Sequence, residues 1–319
     1  MEITRQTFGN IPVSSQIAFY VLAVVATAVC VYGFYRRFQL WQRGTGAWGW
    51  RDLWRRSKPR WQRLLKDGLL QYRVRGRGFA SRAHGLLFAG FVVLFIGTTL
   101  LSIDHAAEMI SPSLRFHRGL YYQIYEFTMD AFGVLFLIGC GMFAWRRWRL
   151  PSSVGHTRSD WLVIALLIAV GVTGFLLEAL RILWWQPSLA AVLCSPVGFL
   201  VAQGFSAMSL ESARAAHFVM WWIHVLLVFT FIALIPFTRL MHLVTGALNL
   251  FFVARTELGT LAPISLEQVE ETGRIGVSDI THLTKQQLLS LDACMECGRC
   301  QDACPATATH KPLSPKVVV

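Results

Sequence analysis

The sequence predicts an all-α membrane protein: a five-transmembrane-helix bundle, N-terminus out and C-terminus in, with a short cytoplasmic ferredoxin-like segment. Three observations lead there. The 319 residues are 54% hydrophobic, mean hydropathy is +0.47, and the apolar residues fall into runs long enough to cross a bilayer. The net charge of +12 is concentrated locally: 14 Lys and Arg between Arg36 and Arg82 face only Asp52 and Asp67, which places that loop on the cytoplasmic side. Near the C-terminus, Cys294, Cys297, Cys300 and Cys304 follow the spacing C-x2-C-x2-C-x3-C-P.

Taken in order, span one is expected over about residues 16–35, with no basic head or cleavage site of a signal peptide before it. The basic loop 36–83 follows. Trp41, Trp48, Trp50, Trp54 and Trp61 interleave with its charges, as in an interfacial amphipathic helix. Anionic lipid headgroups are its expected partner, and docking of an acidic protein is the alternative. No recognition module accompanies the patch, so nucleic acid is not expected. Spans two to five are expected over about 84–103, 127–144, 161–180 and 216–237, with Asp104, His105 and Glu108 opening an outside loop. The stretch 188–208 is apolar enough for a sixth span, which would put the cysteines outside. Pro196, Gly198 and Gly204 favour a re-entrant or surface-lying segment instead, which survives at membrane depth only under protein cover. The membrane domain is expected over 1–245 and a linker over 246–290. In that linker Thr284 can N-cap a short helix from Lys285.

The cysteine run is the bacterial ferredoxin pattern for a [4Fe–4S] cluster, and thiolates are the ligands such a cluster needs. Zinc sites favour C-x2-C pairs well separated in sequence, and disulfides form poorly inside so short a loop. Cys30, Cys140 and Cys194 are scattered and form no disulfide framework. In two-cluster ferredoxins the fourth cysteine of this run serves the other cluster, and no cysteine follows Cys304. Residues 291–319 therefore read as the start of an incomplete ferredoxin-type domain.

Histidines at membrane depth are functional candidates by default. His224 and His242 are 18 residues apart, which on one helix is five turns, one shared face and roughly 27 Å of rise. His217 lies near the same face, and His224 is preferred to it. Span two runs outward and span five inward. His84 and His242 are thus expected near the inner surface, and His105 and His224 near the outer. Two such pairs suit two stacked b-type haems, since facing helices hold cofactors in bundles and imidazole is a common axial ligand. His117, His156, His282 and His310 read as loop or linker residues.

Spans two to five, with Ile235-Pro236-Phe237-Thr238-Arg239-Leu240-Met241-His242, resemble the cytochrome b (gamma) subunit of respiratory nitrate reductase. That resemblance implies two b haems and maps ligands onto His84, His224 and His242. The family's remaining ligand position, ten residues after the first, holds Leu94 here, so His105 is a geometric substitute. Val277–Leu283, the cysteine run and Lys311–Lys316 resemble membrane-bound oxidoreductases that fuse such a cytochrome to a heterodisulfide-reductase-D-like module. Electron-transfer flavoprotein:menaquinone oxidoreductases are of this type. The resemblance implies a relay in the bacterial plasma membrane, between a soluble cytoplasmic flavoprotein and menaquinone. Quinone reduction takes up protons, for which Glu178, Asp130 and Glu126 are candidates, with ordinary helix-end charges the alternative. A quinol-oxidising subunit feeding a cytoplasmic reductase uses the same parts. A haem-less membrane anchor or assembly protein is the reading without b haem.

Overall fold

The computed structural model describes residues 7–48, 57–76, 78–149, 158–253, 265–273, 275–277 and 279–318. Among the described residues it is helical, with no β-strand. Five helices are long and apolar enough to cross a bilayer: α1 (Val13–Gln42), α2 (Phe79–Ile110), α3 (Gly119–Trp148), α4 (Arg158–Trp185), and, beyond the short α5 (Leu189–Val192) and α6 (Pro196–Gln203), α7 (Leu210–Leu234). The five overlap the five expected spans. α5 and α6 are too short to cross, so 188–208 is not a sixth spanning helix. Trp50, Trp54 and His156 lie outside the described residues.

The chain divides into two compact units. The first comprises Met1–Thr27, Arg75–Arg149 and Arg158–Ala233. Within it α2 and α3 pack closely along their length. Close approach needs a small residue at the contact: a Cβ on Gly90 would fall 2.6 Å from the Cβ of Phe136. α3 joins α4 through buried Phe136, Cys140 and Leu167. α4 joins α5 and α6 through Ala179, Ile182, Val192 and Ala202. α7 meets its neighbours through long side chains, Phe231 against Phe91 (5.8 Å between ring centres) and Trp221 against Phe19 (5.6 Å).

Span two departs from expectation at its end. α2 runs to Ile110, so Asp104, His105 and Glu108 are helical and open no loop. The helix stops at Ser111 because Pro112 disfavours the α conformation in the residue before it, and Ser111 is extended (φ −157°, ψ 132°). Asp104 is fully buried. Its carboxylate accepts from the backbone N–H of Phe116 (2.7 Å) and of His117 (3.0 Å), which locks the α2–α3 turn. His117, expected to be a loop residue, is itself fully buried, with Nδ1 3.4 Å from Asp104.

The second unit comprises Ala28–Val74, Leu150–Thr157 and Leu234–Val319. Here the helix of span five breaks. Pro236 offers no N–H and its ring crowds the preceding turn, so Ile235–Phe237 and Arg239–Met241 form 3-10 turns around an extended Thr238. α8 (His242–Phe252) then begins afresh. His224 and His242 therefore do not share the one continuous helix that the expectation assumed. α9 (Lys285–Asp292) begins where expected, with a capping box between Thr284 and Gln287. Its Leu288 and Leu289 bury against Trp41, flanked by Leu248 and Phe252 of α8. Trp41 Nε1–H donates to Asp292 at 2.7 Å. Trp41 is thus a core residue, not an interfacial one.

Candidate functional site

Histidine 224 lies on α7 and its partner is on α4. Its Nδ1 is 2.8 Å from Thr173 Oγ1, and Thr173 donates its own proton to the Ala169 carbonyl at 2.7 Å. The hydroxyl can then only accept, so the imidazole carries its proton on Nδ1 and presents the Nε2 lone pair. His242 reaches the same state by another route. Its Nδ1 lies 2.6 Å from the Arg239 carbonyl, and a carbonyl only accepts. Burial pushes the His242 pKa down, against the pull of that carbonyl, which holds the ring neutral. Nδ1 pinned to an acceptor is the usual outer-shell arrangement of a metal-ligating histidine. Both residues fit the axial position of a b haem.

His217, the alternative to His224, is in a different state. The Asn10 amide is oriented by Arg214: its Oδ1 accepts from Arg214 Nε (2.9 Å) and its Nδ2 donates to the Arg214 carbonyl (2.7 Å). The same Nδ2 points at His217 Nδ1 at 3.4 Å. In that contact Nδ1 accepts, which favours the proton on Nε2, the opposite of the arrangement at His224. His105 packs its ring edge-on to Phe8 (5.0 Å), and its buried Nδ1 has no hydrogen-bond partner among the described residues. His84 has the rings of Phe88 (6.2 Å) and Phe143 (6.4 Å) as neighbours.

The three carboxylates singled out in the sequence come together. Glu126 and Asp130 lie inside α3 and Glu178 inside α4. Arg181 binds Glu178 (2.6 Å) and Glu126 (3.3 Å), and Ser195 donates to Glu126 at 3.0 Å. Asp130 accepts from the N–H groups of Val197 (2.9 Å) and Gly198 (3.1 Å), capping α6 from a neighbouring helix. An apolar cleft of about 310 Å³ is walled by Val134, Ile138, Phe175, Leu176, Val201 and Val197, the residue whose N–H binds Asp130.

The cysteine loop follows α9. Glu296 (φ 46°) and Gly298 (φ 82°) take left-handed conformations that turn the chain sharply, at no steric cost for the glycine. α10 (Arg299–Asp302) carries Cys300, and Cys304 N-caps α11 (Pro305–Ala308). The Glu296 N–H donates to Cys294 Sγ at 3.5 Å. Hydrogen bonding from the backbone of Thr307 pulls the Cys304 pKa down. All seven cysteines are free thiols. Among the described residues no three His, Cys, Asp or Glu side chains stand close enough to enclose a metal ion. The four thiols nevertheless match the donor set of an iron–sulfur cluster in chemistry and spacing.

Residues 70–257 match the nitrate reductase gamma subunit family. The chain belongs to that family. With five apolar helices, this member of the gamma subunit family is a multi-pass membrane protein. It is 33% identical to the EtfAB:quinone oxidoreductase of Syntrophomonas wolfei, over 99% of this chain and 44% of that one. It is 29% identical to the probable iron-sulfur-binding oxidoreductase FadF of Bacillus subtilis, over 73% of this chain and 32% of that one. It is 27% identical to one of the subunits of the dihydromethanophenazine:CoB–CoM heterodisulfide reductase of Methanosarcina thermophila, over 53% of this chain and 76% of that one. The chain thus spans less than half the length of the first two relatives. No solved structure matches it.

Thr173 and Ser195 were not singled out in the sequence, because each acts through a partner 51 and 69 residues away that no local motif announces.

Proposed function

We propose that this chain serves electron transfer between a soluble cytoplasmic flavoprotein, of the electron-transfer-flavoprotein type, and menaquinone in the bacterial plasma membrane. His84, His224 and His242 would hold b haem. Cys294, Cys297, Cys300 and Cys304 are thiolate ligands for a [4Fe–4S] cluster, on the cytoplasmic side. When bound, these groups supply one-electron chemistry that the side chains lack. The observation that carries the reading is the shared state of His224 and His242: each donates Nδ1–H to a fixed acceptor, which leaves Nε2 free to bind a metal.

The other residues divide the remaining work. Asp130 spends both oxygens on the backbone of α6, so its part is to hold that segment in place. Glu126 and Glu178 share Arg181 and are left to exchange protons with the quinone. The neighbouring cleft has the apolar walls an isoprenoid chain needs. Arg60 and Arg63 of the basic segment 36–83 donate to the carbonyls of Phe251 and Val253, and its remaining charges are assigned to anionic lipid, with an acidic partner as the alternative.

The test is reoxidation of the dithionite-reduced, detergent-purified protein by a water-soluble menaquinone analogue, followed at the b-haem absorbance. Rapid reoxidation that slows in Glu126→Gln and Glu178→Gln supports the reading. A reduced protein that the analogue leaves unchanged contradicts it.

A further inference from the structure

Arg239 makes contacts from both its ends within the second unit. Its carbonyl accepts Nδ1–H of His242 at 2.6 Å. Its guanidinium donates to the Met295 carbonyl at 3.2 Å and pairs with Glu296 at 2.9 Å. Met295 and Glu296 are the two residues between Cys294 and Cys297. One side chain thus reaches into the first turn of the cysteine loop, while its own peptide group fixes the ring of His242. The local backbone supports this double role. Arg239 sits in the 3-10 turn that follows the Pro236 break, where its carbonyl takes both the backbone N–H and the imidazole Nδ1–H of His242. Arginine suits the other end, because its rigid, planar fork of donors engages a carbonyl and a carboxylate together. Further anchors hold the adjoining end of α9. Thr245 donates to the Asp292 carbonyl at 3.1 Å and Trp41 to its carboxylate at 2.7 Å. The loop therefore moves with Arg239 instead of sliding past it.

We propose that Arg239 is a positioning residue that couples the cysteine loop to the His242 imidazole, so that filling the loop is felt at His242. This rests on the reading that the cysteines and His242 are ligands. Coupling between two sites is reciprocal and needs an element that both bias. Arg239 is that element: a shift of Met295 and Glu296 pulls its side chain, and through the backbone changes the hydrogen bond that sets the orientation and basicity of the ring.

The experiment uses the full chain. The loop is filled anaerobically with ferrous iron and sulfide, and the low-spin haem EPR signal is recorded before and after. In the unaltered protein the signal shifts on filling. In Arg239→Gln, which keeps the carbonyl and loses the ion pair, the haem that is bound no longer shows the shift. Arg239→Lys restores part of it. An equal shift in Arg239→Gln, or none in the unaltered protein, overturns the proposal. Hydrogen exchange on the unfilled protein gives a readout that needs no cofactor. Arg239→Gln raises exchange by about tenfold or more, a loss of roughly 1.4 kcal/mol of local protection, in residues 295–298 and 241–246 together. A rise confined to the loop overturns the coupling. Absence of b-type absorbance in the unaltered protein defeats the ligand reading instead, and leaves the exchange result to decide the coupling.

Discussion

The carbonyl of Arg239 lies 2.6 Å from Nδ1 of His242 and accepts its proton. The contact fixes the tautomer, and burial holds the ring neutral by lowering its pKa from the ordinary 6.5. A lowered histidine pKa means the unfolded chain takes up the proton first. The stabilisation is therefore complete above pH 6.5 and declines as pH falls below it, towards the lower value of the folded state. The haem signal assigned to His242 is expected to be constant above pH 6.5 and to fade on acidification below that point. An absorbance titration checks this. Loss beginning on the alkaline side of 6.5 would sink the assignment.

Thr173 does for His224 what Arg239 does for His242, with a hydroxyl as acceptor. Removing an outer-shell partner typically costs about 10–100-fold in metal affinity. Thr173→Val should weaken haem retention on this scale, and Thr173→Ser should restore it. His217→Ala should leave haem content intact where His224→Ala lowers it, because the Asn10 amide holds His217 in the opposite tautomer. Haem-to-protein ratios of the purified variants decide between the two histidines.

Asp130 binds two N–H groups at the start of α6. Asp130→Ala leaves both donors without their acceptor, at a cost of about 1–3 kcal/mol for a buried group. The expected result is faster hydrogen exchange over residues 196–203 with little change in α2. Asp130→Asn keeps one acceptor and should fall between. Equal exchange in all three proteins would remove Asp130 from this role.

Backbone hydrogen bonding from Thr307 lowers the Cys304 pKa below its ordinary 9.0. More thiolate at neutral pH outweighs the slightly weaker intrinsic nucleophilicity. Iodoacetamide applied to the metal-free protein near pH 7 should label Cys304 ahead of the exposed Cys297 and Cys300, and the preference should narrow as pH rises past 9. Peptide mass analysis reads the order directly.

Much of the fold was legible because its causes are local or cumulative. Long apolar runs announce the five spans, and Thr284 with Gln287 announces α9 within four residues. What stayed hidden depends on partners far along the chain. Asp104 looks like the end of a span until the N–H groups of Phe116 and His117 are seen to satisfy it. Trp41 looks like an interfacial tryptophan until Asp292, 251 residues on, is seen to accept its indole N–H hydrogen bond. The histidines were found by type and depth. Their tautomers, which separate His224 from His217, depend on Thr173 and Asn10 and carry no sequence signature. The three acids were visible, but their gathering around Arg181 and α6 requires the break at 188–208 to fold back onto α3 and α4.

The most direct measurement is the reduced-minus-oxidised absorbance spectrum of the detergent-purified chain, repeated for His224→Ala and His242→Ala. The expected result is a b-type haem signal in the unaltered protein that falls in each variant while the protein stays folded and helical. A haem-free spectrum, or full haem content in both folded variants, would contradict it.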